Sequence, residues 1–268
     1  MSDFLQTMAA SSAERAAAAK RHSSADFDKP VVPLVLGDFD VIAEIKDRSP
    51  AEGKLATKDS NRTKQAQRYV EGGAAAISVL TEPSRFSGAL THLEEVIAAV
   101  PNTPVMRKDF LVEPVQVLEA RASGASGVLL IVTMLSDDKM REMLDCAAEH
   151  DMFVLLESFD SSDLERASQL LDTSSNQDRA ESGQLLFGVN TRNLRTLHVD
   201  PDRLADLAAG LPAARCVAES GLHDANDAAT VAGLGYRLAL VGTALMRSTD
   251  PASLVRAMRE SGSGRASA

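Results

Sequence analysis

Tryptophan is absent from the chain and tyrosine occurs only twice, so the protein's own near-ultraviolet fluorescence is faint. Cysteine also occurs only twice, as Cys146 and Cys216 in unrelated segments. That excludes a disulfide scaffold and makes a reducing compartment the default. No apolar run approaches the ~20 residues that span a bilayer, so no membrane contact is expected. Basic residues are outnumbered, 28 Lys and Arg against 38 Asp and Glu, for a net charge of −10. Non-specific nucleic-acid binding needs a basic surface and is therefore not expected, although a local basic pocket for a small anion is compatible with this balance. The opening residues, MSDFLQTMAASSAERAAAAK, have no apolar segment followed by a cleavage pattern, and they carry Asp3 and Glu14. They read as an amphipathic helix rather than a targeting signal, which makes the expected location cytoplasmic. The five histidines, His22, His92, His150, His198 and His223, show no HxH or HExxH pairing, so neither a metal nor a cofactor is expected.

What the chain does have is the composition of a folded domain, with 44% hydrophobic and 25% charged residues. Eight short apolar runs begin at Val41, Ala75, Pro104, Gly127, Phe153, Leu185, Arg215 and Leu238. Most are almost continuously apolar, as strands buried on both faces are. Segments of helical period separate them. KQAQRYVEGG ends in a glycine pair, EPVQVLEARASG closes at Gly124, and SDDKMREMLDCAAEH opens at Ser136. SSDLERASQLLD opens at another serine, and DPDRLADLAAG places Asp200 as cap and Pro201 in the first turn, stopping at Gly210. HDANDAATVAGLG and DPASLVRAMRE complete the set.

Strict β–α alternation implies parallel strands with right-handed crossovers, and eight units at this length match a (β/α)8 TIM barrel with an extra N-terminal helix. The alternative, a doubly wound sheet, usually carries a glycine fingerprint after its first strand, where this chain has KDRSPAEG. Residues 1–268 then form one barrel domain, with 1–40 as a helical extension and 260–268 as a frayed tail. The polar stretch Asp172–Gln184 exceeds the ~2–6 residues usual for such a connection and reads as a surface insertion on the N-terminal face.

In a barrel the chemistry sits at the carboxyl ends of the strands. There the chain places Glu44 and Lys46, Arg107-Lys108-Asp109, Glu157-Ser158, Asn190 with Arg192, Glu219-Ser220-Gly221 and Gly242-Thr243. Any one of these charges reads equally well as a rim salt bridge. Their concentration at one end, opposite strands that begin with apolar residues, favours a site. Glu44, Lys46, Lys108, Glu157 and Glu219 mix carboxylates with ammoniums, a combination that separates pKa values and supplies both acid and base. A lysine there could also form a Schiff base. Ser220, Gly221, Gly242 and Thr243 fit the phosphate position after strands seven and eight, although turn glycines have the same look. These features together describe a barrel enzyme acting on a phosphorylated small molecule by acid–base chemistry. A Schiff-base aldolase and a non-catalytic phosphate-binding barrel stand as alternatives.

FDVIAEIKDRSPAEG, PVMRKDFLVEPVQVLEARASGASGVLLIV, FGVNTRNLRT, VAESGL and LVGTALMR, taken in order, resemble the motifs of the indole-3-glycerol-phosphate synthase family. The resemblance runs from about Phe39 to Arg247 and includes the helix before the first strand. It implies a lyase of tryptophan biosynthesis that closes the ring of 1-(2-carboxyphenylamino)-1-deoxyribulose 5-phosphate with loss of carbon dioxide and water. On that resemblance Lys108 is the proton donor to the sugar carbonyl, Glu157, Glu44 and Lys46 serve the dehydration, and Glu219 lines the site. Asn190 would orient substrate, Arg192 would pair with the anthranilate carboxylate, and Lys46 would also reach the phosphate. Ser49 and Pro50 would lie in a closing loop. Phe86, Phe110, Leu111, Leu129 and Leu194 would wall the aromatic ring, though each also suits an ordinary core. Ser158, Thr243 and the insertion depart from the family pattern without removing a catalytic group. Contact with other tryptophan-pathway enzymes is left open.

Overall fold

The computed structural model describes residues 3–49, 53–55, 61–192, 194 and 199–264. Pro50, Asn193 and His198 lie outside them. Eight parallel strands close into a barrel: β1 Asp40–Ile45, β2 Ala76–Leu80, β3 Val105–Lys108, β4 Gly127–Ile131, β5 Phe153–Ser158, β6 Leu185–Asn190, β7 Cys216–Glu219 and β8 Leu238–Val241. Each pairs with its sequence neighbours, and β1 closes the ring on β8 through Asp40↔Leu238 to Ala43↔Val241. The expected (β/α)8 barrel is the fold observed.

Strand periodicity of two divides each strand between two cores. Val41, Ala43 and Ile45 face the surrounding helices in the outer core, while Ile42 joins Met106, Leu155, Leu186 and Val217 inside the barrel. The inner layer is closely fitted. A side chain at Gly127 would run into the ring of Phe153, so the glycine on β4 makes space for the large residue on β5.

The helices are α1 Asp3–Ala18, α2 Arg62–Glu71, α3 Leu90–Ala99, α4 Pro114–Ser123, α5 Asp137–Ala148, α6 Ser161–Ser168, α7 Ser174–Glu181, α8 Arg203–Asp206, α9 Ala225–Gly233, α10 Thr243–Arg247 and α11 Pro251–Gly262. Their ends follow capping chemistry. The Ser136 side chain accepts from Lys139 N at the start of α5, and Gly124 closes α4 in the left-handed region (φ 94°). Helix α6 starts one residue earlier than its serine suggests, because Asp160 is the cap and accepts from Asp163 N. The run after Asp200 is not one helix. Asp200 Oδ1 accepts from Asp202 N, and α8 is a single turn followed by a 3-10 turn at Ala208–Gly210.

One segment expected to be loose, and the start of another, are helical. The insertion folds as α7, with Ala180 buried and Asn176 Nδ2 bonded to the Leu170 carbonyl. Helix α11 runs through Glu260 to Gly262, which belong to the segment expected to fray, and residues 265–268 lie outside the described residues. Helix α1 buries Leu5, Met8, Ser12 and Ala16, a 3–4 residue spacing that makes one face. Leu5 and Met8 contribute about 1.5–3 kcal/mol each to its docking. Phe110, just beyond the carboxyl end of β3, belongs to the same cluster, which seats α1 beside the rim of the barrel.

Candidate active site

A cavity of ≈ 390 Å³ opens at the carboxyl ends of the strands. Glu44, Lys46, Lys108, Glu157, Asn190 and Glu219 form its polar floor, each at or next to the end of a strand. The strand register brings them together. Ile131 stands beside Glu157, which pairs with Gly188, and two residues further along the same strand Asn190 stands beside Glu219.

Lys108 sits between two carboxylates, its Nζ 3.7 Å from Glu44 Oε2 and 3.8 Å from Glu157 Oε2. Burial alone would lower its pKa. The charges of Glu157, Glu44 and Glu219 outweigh that and hold it above the ordinary lysine value. The amine is therefore an ammonium at neutral pH, a proton donor and a poor Schiff-base nucleophile. This weighs against the aldolase reading.

Glu44 is gripped by Lys46 Nζ at 2.5 Å. Burial pushes its carboxyl up, but Lys46 and Lys108 prevail and keep it below the usual value, hence ionised. Asn190 Nδ2 donates to Glu157 Oε1 at 2.7 Å, and Asn190 Oδ1 accepts from Arg192 N at 2.9 Å. One amide thus fixes both the carboxylate and the turn that carries the arginine.

Glu219 is different. It is 1% exposed, and among the described residues neither carboxyl oxygen has a hydrogen-bond donor. Burial, then the charge of Glu157, push its pKa well above the usual carboxylate value, with Lys108 opposing. The shift favours the neutral acid, the form that can donate. Glu44 and Glu219, two carboxyls in one pocket, are thereby shifted in opposite directions beside the charged amine of Lys108.

The rest of the cavity divides in two. Phe86, Phe110, Leu129, Ile131 and Leu194 make an apolar wall. Phe86 comes from a single helical turn, Pro83–Phe86, whose N-terminal amides are capped by the Glu82 carboxylate. Its ring centroid is 6.1 Å from that of Phe110, and Phe4 of α1 meets Phe110 edge-on at 6.0 Å. Ser220, Gly221, Gly242 and Thr243 line the cavity where β7 and β8 end. Ser220 and Gly221 both have positive φ, 66° and 76°, and Gly242 precedes α10. Gly242 also gives space to the floor, since a Cβ there would overlap Glu44 Oε1 and lie 2.8 Å from Lys46 Nζ.

Apart from Leu111, and from Pro50 outside the described residues, the site residues expected from the sequence line this cavity, including Ser49 and Arg192. Leu111 packs in the outer core. Asp109, Leu80, Val199 and His223 line the cavity without having been singled out. His223 is exposed at its edge, next to the Asp224 cap of α9. Asp109 was legible only as one member of a charged triplet. Its partners, Arg15, Thr81 and Arg107, come from three separate elements.

Solved structures share the fold at low identity. 3-Hexulose-6-phosphate synthase from Salmonella typhimurium matches with a TM-score of 0.62 and 16% identity, covering 85% of this chain and 100% of that one. Phosphoribosylanthranilate isomerase from Thermotoga maritima matches at 0.55 and 13%, covering 84% and 99%. Relatives of much higher identity are called indole-3-glycerol phosphate synthase. That of Nocardioides sp. is 45% identical over 242 residues, 89% of this chain and 88% of its own length. That of Mycobacterium leprae is 43% identical over 217 residues, 80% of this chain and 74% of its own. The profile of the indole-3-glycerol phosphate synthase family matches residues 6–258, which takes in all eight strands and the cavity they carry. The chain belongs to the indole-3-glycerol phosphate synthase family.

Proposed function

We propose that this chain closes the indole ring of 1-(2-carboxyphenylamino)-1-deoxyribulose 5-phosphate, releasing carbon dioxide and water and leaving indole-3-glycerol phosphate, a step of tryptophan biosynthesis. The observation that carries the residue assignments is the position of Lys108, a charged amine between Glu44 and Glu157 on the floor of a cavity that is apolar on one side and glycine-lined on another.

The assignments follow the charge that each step develops. An aromatic carbon attacks the sugar carbonyl, whose oxygen gains negative charge, and the Lys108 ammonium supplies the proton. The apolar wall of Phe86, Phe110, Leu129 and Leu194 holds the aromatic ring, while Arg192 pairs with the carboxylate until it departs as carbon dioxide, a role suited to its planar fork. Dehydration then needs an acid for the leaving hydroxyl and a base for the ring-nitrogen proton. Glu157, Glu44 and Lys46 face the same cavity and provide both kinds of group. Glu219, whose burial favours the neutral acid, adds a further carboxyl on the floor. Ser220, Gly221, Gly242, Thr243 and Lys46 hold the phosphate, and Ser49 borders the mouth. No helix among the described residues is long and apolar enough to cross a membrane. A cytoplasmic location, among other enzymes of the pathway, suits a water-soluble phosphorylated substrate.

Direct turnover tests the reading. Purified protein incubated with the carboxyphenylamino sugar phosphate should release carbon dioxide and indole-3-glycerol phosphate in equal amounts, with inorganic phosphate competing. Absence of both products in folded protein would overturn it.

A further inference from the structure

Gly188 occupies an unexpected place. It lies in the interior of β6, where glycine has the weakest strand preference and packs nothing. Its backbone does not call for glycine either, since it is not among the residues with positive φ. The requirement is spatial. A Cβ at 188 would overlap Glu219 Oε1 and lie 3.2 Å from Glu219 Cδ and 3.1 Å from Leu155 Cδ1. The β5–β6 register sets Gly188 beside Glu157, and Asn190, two residues on, stands beside Glu219. The missing side chain is therefore the space that one carboxyl oxygen of Glu219 fills.

We infer that Gly188 is a positioning residue for the ring-closing reaction: its bare backbone forms the socket that keeps the Glu219 carboxyl buried and unpaired, facing the floor of the site. The inference rests on the function proposed above. The socket explains why a carboxyl can remain without a hydrogen-bond donor. Glu157 from β5, Lys108 from β3 and Glu44 from β1 are the charged groups that bear on it, and Asn190 is committed to Glu157. Inside the socket the neutral carboxylic acid is the favoured form. Filling the socket drives the carboxyl toward Lys108 and the open cavity, where the ionised form is better solvated and paired.

The test is a cycle of Gly188→Ala, Glu219→Ala and the double variant, followed by product formation across pH, with wild type run alongside. If the wild-type protein does not turn over, the proposed function fails and not the socket. Gly188→Ala is expected to lower kcat about tenfold or more and to move the alkaline limb of the kcat profile to lower pH, while inhibition by inorganic phosphate stays unchanged. Glu219→Gln should remove that limb. In the Glu219→Ala background, which empties the socket, Gly188→Ala should cost nothing further. Should Gly188→Ala alone fail to fold, the double variant should regain the fold. A Gly188→Ala penalty of equal size with and without Glu219, or misfolding in both backgrounds, would overturn the assignment. A wild-type kcat and pH profile in Gly188→Ala would do the same.

Discussion

Arg15 and Asp109 stand 94 positions apart in the chain and meet as a two-pronged ion pair, with N–O distances of 2.8 and 2.9 Å. Asp109 directly follows Lys108, so the N-terminal helix grips the side chain of the residue next to the proposed acid. Asp109 also accepts from Thr81 Oγ1 and Arg107 Nη2, and its amide neighbour Phe110 N donates to Oδ1. Burial would raise the Asp109 pKa, but the hydrogen bonds from Arg15 and the charge of Arg107 hold it below the usual range.

Arg15→Met retains the stem and removes the fork. Breaking a buried pair costs about 3–5 kcal/mol. Arg15 is 28% exposed and Asp109 keeps three other donors, so a loss of about 1–3 kcal/mol is expected here. A urea titration measures it. Because the depressed Asp109 pKa gives stability above the ordinary carboxylate range and loses it as pH falls through the folded value, the acid unfolding limb should move to higher pH in the variant. A variant that unfolds like wild type at both pH 7 and pH 4 would contradict this.

Glu219 carries the opposite sign. Its folded pKa is raised above the unfolded value of about 4.3. Its contribution to stability is therefore complete below about pH 4.3 and is lost as pH rises through the folded pKa. Glu219→Gln should flatten the decline in urea midpoint between pH 5 and pH 9. An unchanged slope would show that Glu219 ionises normally.

Strand and helix existence was legible because each has a local cause. Continuous apolar runs mark strands covered on both faces, and Ser136, Gly124 and Asp250 mark helix ends through their own side chains or backbone. The charged rim was legible because Glu44, Lys108, Glu157 and Glu219 violate the apolar pattern at the same end of their strands. What escaped notice depends on contacts distant in sequence. Nothing local marks Arg15 as the partner of Asp109 or Gly188 as the space for Glu219. Leu111 failed as a wall residue because the chain has left β3 there and its side chain turns to the outer core. The insertion misread as loop lacks apolar periodicity; its helix is held by Ala180 and the Leu170 carbonyl.

Replacing Asp172–Gln184 with a short glycine-containing linker should leave kcat and KM unchanged, since none of these residues lines the cavity. The loss of α7 should uncover Leu170 and cost about 1–3 kcal/mol of stability, the scale of one buried apolar side chain. A folded linker variant with impaired turnover would assign the helix a role in catalysis.

Arg192→Lys keeps the charge and loses the planar fork. KM for the natural substrate should rise about tenfold, the scale of one charge-assisted hydrogen bond, whereas an analogue without the ring carboxylate should bind both proteins alike. Equal weakening of the two ligands would remove the carboxylate from the Arg192 assignment.

Lys108 is the group assigned to protonate the carbonyl oxygen as the ring closes. A chain without tryptophan gives a faint background, so indole formation can be followed directly by fluorescence. General acid catalysis contributes ~10²–10⁴-fold and a lost charge donor about 10²–10³-fold. Lys108→Met should fold, bind a product analogue and form indole at least ~10³-fold more slowly than wild type. A rate within about tenfold of wild type, below the range for a single acid, would make Lys108 a rim salt bridge and contradict the account.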